Sequence, residues 1–200
     1  MMNLGKGVII TATDTGVGKT LCAAHLLKLT QGTYWKPIQT GDDRDLDVVQ
    51  RISSLPQDHF LPETYRYKTP CSPHLAAALE NRSINIDTLT FPEIQHYPLI
   101  VEGAGGVLVP LANGVFMIDL FKKLGLPVIV VARSTLGTIN HTLLTLEALS
   151  KRKISVLGVV TVGPYHPENE EAIQYFGSVK VIGRIRMEQP VEDVTTLECL

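Results

Sequence analysis

Apolar residues recur along this chain at two spacings. Short runs rich in Val and Ile, apolar on both faces, stand at 7–12, 34–38, 97–101, 127–132, 155–162 and 179–182. Such runs predict parallel strands covered on both sides, because a strand with one wet face would alternate. Between them the spacing changes to that of helices. Leu21, Ala24 and Leu27 predict a helix over 20–29, and Ile139, Leu143 and Leu146 predict an amphipathic helix ending near Lys151. Shorter helices are expected at 45–52, 73–80, 116–124 and 168–175. Gly32 is expected to end the first helix and Pro37 to close the second strand. The proline-punctuated stretch 53–73 reads as loop. The strand at 97–101 is expected to stop at Glu102 and enter the turn Gly103-Ala104-Gly105-Gly106.

Strands that alternate with helices predict an α/β fold with a mainly parallel sheet, right-handed crossovers and helices on both faces. No repeat, low-complexity tract or linker interrupts the pattern, so 1–200 reads as a single domain. In such sheets ligands collect at the carboxyl ends of the strands. The loop at 14–20, the turn at 39–45 and the turn at 102–106 all fall on that edge.

Composition narrows the partners. The chain has 200 residues and a net charge of −2, with 44% hydrophobic and 19% charged residues. Nothing electrostatic favours nucleic acid or an anionic membrane. The three cysteines, Cys22, Cys71 and Cys199, form no C-x-x-C pair, and the six histidines show no metal-ligand spacing. A reducing cytoplasm fits best, and no signal peptide or apolar run long enough to span a bilayer is read.

The chemistry begins at Asp14-Thr15-Gly16-Val17-Gly18-Lys19-Thr20. A strict P-loop reads G-x-x-x-x-G-K-[ST]; here Thr13 holds the first glycine position. Gly16 and Gly18 let backbone N–H groups turn toward phosphate oxygens. Lys19 brings positive charge to the β and γ phosphates, Thr20 offers a hydroxyl to Mg²⁺, and the helix that follows points its N-terminus at the anion. A nucleoside triphosphate with Mg²⁺ is therefore expected. Glu102, at the end of a buried strand, suits a Mg²⁺ ligand or a salt-bridged capping residue. Asp45 sits among Asp42, Asp43 and Asp47, where a solvated acidic turn is the plain reading. Lys36 could stabilise a transferring phosphoryl group, or lie along the surface with its ammonium in water.

Five separated segments, ATDTGVGKT (12–20), WKPIQTG (35–41), CSPHLAA (71–77), VEGAGG (101–106) and LGTINH (136–141), occur in the order found in the dethiobiotin synthetases. The chain resembles that family over roughly 5–160, which implies a P-loop NTPase-like fold and a homodimer with its active site at the subunit interface. It also implies a ligase of biotin biosynthesis that turns 7,8-diaminononanoate, CO₂ and ATP into dethiobiotin, ADP and phosphate. The resemblance implies that Thr20, Asp45 and Glu102 are the Mg²⁺ ligands and that Lys36, Lys19 and Thr15 are catalytic. Gly16, Val17, Gly18, Lys19, Thr20 and Leu21 would hold the nucleotide, as would Asp45, Glu102, Gly103, Ala104 and Gly105. Thr15, Lys36, Thr40, Gly105 and Gly106 would meet the diamine. Leu136, Gly137, Thr138, Ile139 and Asn140 would receive its carboxylate tail across the dimer interface.

One departure matters. The Asn-Asp pair that hydrogen-bonds adenine in many members is replaced by Val162-Gly163, and the later G-x-I-P turn near the base reads Gly183-Arg184-Ile185-Arg186. Weakened adenine selectivity is the expectation, with GTP or other triphosphates admitted. Two other readings share the loop. One is a P-loop amide ligase, whose usual glutaminase domain has no room here. The other is a partition-type regulatory ATPase, whose loop carries a lysine where this chain has Asp14.

Overall fold

The computed structural model describes residues 4–186. In chain order the elements are β1 (Gly7–Ala12), α1 (Lys19–Thr30), β2 (Thr33–Trp35), β3 (Ile38–Thr40) and α2 (Asp45–Ser53), then β4 (Phe60–Leu61), β5 (Tyr65–Tyr67) and α3 (Pro73–Leu79). There follow β6 (Leu99–Gly106), β7 (Pro110–Ala112), β8 (Val115–Phe116), α4 (Met117–Leu124), β9 (Val128–Arg133), α5 (Thr138–Lys151), β10 (Val156–Val162), α6 (Pro167–Gly177) and β11 (Val181–Ile185). Seven strands form the central sheet in the order β11-β10-β9-β1-β6-β2-β4, and their pairings are parallel.

The predicted α/β architecture is observed, and its cause is the two-sided burial of the strands. Every residue of β1 is buried. Its alternate side chains enter different cores, since successive residues of a strand point to opposite faces. Ile9 joins Leu99, Val101, Val128, Phe121 of α4, Leu149 of α5 and Ile173 of α6. Val8 and Ile10 join Ile100, Ile129, Ala24 and Leu27 of α1, and Val49 of α2. Each large aliphatic side chain buried this way contributes roughly 1.5–3 kcal/mol. Among the described residues no helix is long and apolar enough to cross a membrane.

Several expectations need correction. The strand expected at 34–38 ends at Trp35, and Ile38–Thr40 pairs instead with Tyr65–Tyr67 in a separate two-stranded parallel sheet. Pro37 lacks the N–H a ladder needs, so the chain leaves the main sheet there. The stretch 53–73 is not only loop: it supplies β4, which pairs with β2, and β5. Strand β6 does not stop at Glu102 but runs to Gly106. A Cβ at Gly103 would lie 2.8 Å from the Phe121 ring, so the glycine lets the strand continue against α4. The hairpin β7–β8 was not foreseen. Helix α1 is capped by Gln31 in the left-handed conformation, its N–H on the Leu27 carbonyl. Gly32 serves another need: a Cβ there would be 2.1 Å from the Pro98 carbonyl oxygen.

Candidate active site

The loop between β1 and α1 turns through Gly16 (φ +67°) and Gly18 (φ +113°), both left-handed conformations that residues with a Cβ rarely adopt. The Thr15 N–H donates to Asp14 Oδ1 at 2.7 Å, and Lys19 Nζ curls back to donate to the Asp14 carbonyl at 3.1 Å. Arg133, at the end of β9, closes the loop from outside. It donates to Asp14 Oδ2 at 3.2 Å and to the Thr15 carbonyl at 3.1 Å. Burial pushes the Lys19 ammonium down to about 8, with nearby Glu102 opposing the shift and Lys36 adding to it. A desolvated cation in a glycine loop at the N-terminus of α1 is poised to take an anion.

Strand alternation brings the charged residues together. Tyr34 and Lys36 lie two apart, as do Ile100 and Glu102, and the register sets Tyr34 opposite Ile100. Residues two apart share a face, so Tyr34 and Glu102 project from neighbouring strands toward the start of α1, and Lys36 reaches the same place just beyond the end of β2. Glu102, 1% exposed, accepts from Thr20 Oγ1 at 2.9 Å and from the Tyr34 hydroxyl at 2.8 Å. Lys36 Nζ lies 3.5 Å from Glu102 Oε1 and forms an ion pair with Asp45, the first residue of α2. Burial, then the Glu102 charge, raise the Tyr34 phenol well above its ordinary value, so it stays a donor.

These groups line a cleft of about 520 Å³ at the carboxyl edge of the sheet, with Thr15, Gly16, Gly18, Lys19, Thr20, Lys36, Thr40, Asp45, Glu102, Ala104 and Gly105 on its walls. The remaining expected residues stand elsewhere. Val17 is buried in the α1 core and Leu21 packs against it, so neither side chain reaches the cleft. Gly103 abuts Phe121, and Gly106 backs onto the Ala12 and Thr13 backbone. The segment Leu136, Gly137, Thr138, Ile139 and Asn140 opens α5 beyond Arg133 and does not line the cleft. Leu136 is fully exposed there, while Thr138 is buried.

The sequence reading missed Tyr34, Arg133 and the cleft-lining Gln39, Asp43, Cys71 and Ser72. Alternation could have matched Tyr34 with Lys36; only the register of β2 on β6 reveals that the face they share is also that of Glu102. Cys22 is a small buried residue of α1; Cys199 lies outside the described residues. The His spacing also hid a cluster: Asp58, His59 and His96 lie together at the opposite end of the sheet. At the expected base site, Val162 is buried against Gly18, and a Cβ at Gly163 would lie 2.7 Å from Ser134 Oγ. In the segment matched to the G-x-I-P turn, Gly183, Arg184 and Ile185 belong to β11, and Arg184 Nε donates to Glu170 Oε1 and Oε2 at 2.8 Å each.

Residues 6–195 match the family model described as an AAA domain. The chain is similar to the ATP-dependent dethiobiotin synthetase BioD of Rhodopseudomonas palustris (strain HaA2), 48% identical over 182 residues, 90% of this chain and 85% of that protein. It is also similar to the protein of the same name from Rhizorhabdus wittichii, 47% identical over 189 residues, 94% of this chain and 90% of that one. These matches run well past residue 160, where the sequence resemblance faded. Among solved structures, a ParA family ATPase from Chlorobium tepidum superposes with a TM-score of 0.53 at 12% identity, covering 94% of this chain and 86% of that one. At that identity the likeness concerns the fold.

Proposed function

Because the chain belongs to the ATP-dependent dethiobiotin synthetases, we propose that its cleft joins 7,8-diaminononanoate, CO₂ and a nucleoside triphosphate to give dethiobiotin, the nucleoside diphosphate and phosphate. The observation that carries this reading is the meeting of Lys36 with Asp45 and Glu102 beside Thr20 and Lys19. A phosphate loop alone would serve any P-loop protein. A second lysine held by two carboxylates at the same spot serves a reaction in which two anions must meet.

One substrate amine captures CO₂ as a carbamate. A carbamate oxygen attacks the γ-phosphorus, and the bond to the β–γ bridging oxygen breaks. The second amine then attacks the carbamate carbon, phosphate leaves and the ureido ring closes. Lys19 and Lys36 offset the repulsion between carbamate and triphosphate. Thr15 and Thr40, which both line the cleft, orient the diamine, so that both nitrogens stay near one carbon.

The donor set fits Mg²⁺. Thr20, Asp45 and Glu102 supply hard oxygens, and the two carboxylates already hold the Lys36 ammonium between them. When bound there, the ion would supply further positive charge to the phosphate oxygens.

Three finer statements belong to the same proposal. Adenine selectivity is weak, supported by the buried Val162 and the side-chain-free Gly163 at the base-reading positions. The enzyme works as a cytoplasmic homodimer of single-domain chains. The exposed start of α5, with Leu136 and, about two turns further, Leu144, would be covered by the second copy and would hold the diamine carboxylate at its N-terminus. The test is mass-spectrometric detection of dethiobiotin from purified protein, diamine, bicarbonate and Mg-ATP. Phosphate release that ignores the diamine would remove the reading and favour a regulatory ATPase.

A further inference from the structure

At the end of the sheet opposite the cleft, three strands begin side by side. Strand β2 starts just after Gly32, β4 just after His59, and β6 three residues after His96; in the sheet these strands are neighbours in the order β6-β2-β4. Asp58, His59 and His96 each offer one potential ligand atom there, all within 4.8 Å of one another. We propose that Asp58, His59 and His96 form a binding site for a divalent transition ion of the Zn²⁺ class, which fastens the starts of β2, β4 and β6.

The hydrogen bonds around the cluster support a ligand role. His59 is buried, and its Nδ1 lies 2.6 Å from the Gly32 carbonyl oxygen. A carbonyl only accepts, so Nδ1 carries the hydrogen, and in the neutral ring Nε2 holds the lone pair that an ion needs. Metal-binding histidines are commonly held in this way, with the second nitrogen donating to a backbone carbonyl. The His96 backbone is tied down as well, its carbonyl accepting from Thr33 Oγ1 at 2.8 Å. His96 Nε2 lies 3.0 Å from Asp58 Oδ2, close to the roughly 3.4 Å edge of a tetrahedron with metal–ligand bonds of about 2.1 Å. An ion would take the place of the proton now shared by that pair.

The donor chemistry selects the ion. Two imidazoles and one carboxylate suit Zn²⁺ and its neighbours in the first transition row, whereas Mg²⁺ takes oxygen donors. The imidazoles are stacked, 3.9 Å between centroids and 12° between planes. Their in-plane lone pairs therefore run side by side, and His96 must turn out of the stack to share an ion with His59. His96 is half-buried and Asp58 exposed, so both can move, while His59 stays fixed by Gly32.

The test uses untagged full-length protein, treated with chelator and titrated with Zn²⁺ in millimolar Mg²⁺, so that Mg²⁺ competes for the carboxylates of the cleft. Calorimetry is expected to find one Zn²⁺ per chain with a Kd in the micromolar range or below, and thermal melting a Tm that rises with Zn²⁺. His96→Ala and Asp58→Asn, changes at the surface, should each weaken binding at least tenfold while dethiobiotin synthesis in Mg²⁺ is unchanged. No Zn²⁺ uptake by the parent chain, or uptake of the same strength in both variants, would overturn the assignment and leave a hydrogen-bonded His–Asp pair.

Discussion

The Tyr34 hydroxyl donates to Glu102 Oε2 at 2.8 Å across 68 residues of sequence, with Tyr34 fully buried and Glu102 1% exposed. The carboxylate thus divides its oxygens: Oε2 faces the core donor, and Oε1 faces Thr20 and Lys36. Tyr34→Phe keeps the ring and removes the donor, leaving one oxygen of a buried carboxylate without this partner. The expected cost is about 1–3 kcal/mol of stability, together with a several-fold rise in the Mg²⁺ concentration for half-maximal activity. Thermal melts and Mg²⁺ titrations of activity check both; an unchanged Mg²⁺ requirement would confine Tyr34 to packing.

Lys36→Ala removes the cation between Asp45 and Glu102. Turnover is expected to fall by about 10²-fold or more, the scale for losing one group that stabilises transition-state charge. Nucleotide affinity should stay within a few-fold, because Lys19 and the loop N–H groups remain. Steady-state rates and calorimetric nucleotide titrations separate the two effects. Turnover like that of the parent would take Lys36 out of the chemistry.

Arg133 and Asp14 clamp the tip of the phosphate loop. The Thr15 N–H, then the Arg133 guanidinium, lower the Asp14 carboxyl below its ordinary value. The sign follows: a depressed carboxylate contributes stability above its unfolded value of 3.8 and loses it as pH falls through the lower folded value. The clamp is therefore intact at any working pH above about 5. Asp14→Asn and Arg133→Ala should each raise KM for the diamine through Thr15. A KM like that of the parent in both variants would contradict this.

The base site is expected to discriminate poorly. Ratios of kcat/KM for ATP over GTP and CTP should stay under about a hundredfold, a difference of roughly 2.7 kcal/mol. A larger preference for ATP would mean that backbone groups read the base. Restoring a side chain at Gly163 carries its own cost, since its φ is +123° and a Cβ would meet Ser134 Oγ at 2.7 Å. Gly163→Asp is therefore expected to melt at a lower temperature than the parent.

Much of the fold could be read before any coordinates, because two-sided burial writes itself into runs such as Val8-Ile9-Ile10 and helix packing into the spacing of Leu21, Ala24 and Leu27. Short elements could not. β4 has two residues and β5 three, too few for any period to register, and both exist because a neighbouring strand offers them a ladder. The extent of β6 was misjudged for a related reason. Glycine usually marks a turn, but Gly103 is there because Phe121 leaves no room for a Cβ. In the cleft, Gly16, Gly18, Lys19 and Thr20 are legible as a contiguous motif, and Glu102 by its place at the end of an apolar run. Tyr34 and Arg133 act only through register and through the approach of β9 to the loop, which depend on the assembled sheet. The Asp58, His59 and His96 cluster escaped for the same reason: its members meet only after β2, β4 and β6 are aligned.

Pro37 stands between two frameworks. Lys36 continues from the seven-stranded sheet, while Thr40, four residues later, belongs to the two-stranded one with Tyr65–Tyr67. Two residues that line one cleft are thus anchored to different sheets, with a single imino acid as the joint. Such a division lets one side of the cleft vary alone: drift in β5 or α3 can reshape the surface around Thr40, while Lys36 and Glu102 stay in register with the central strands.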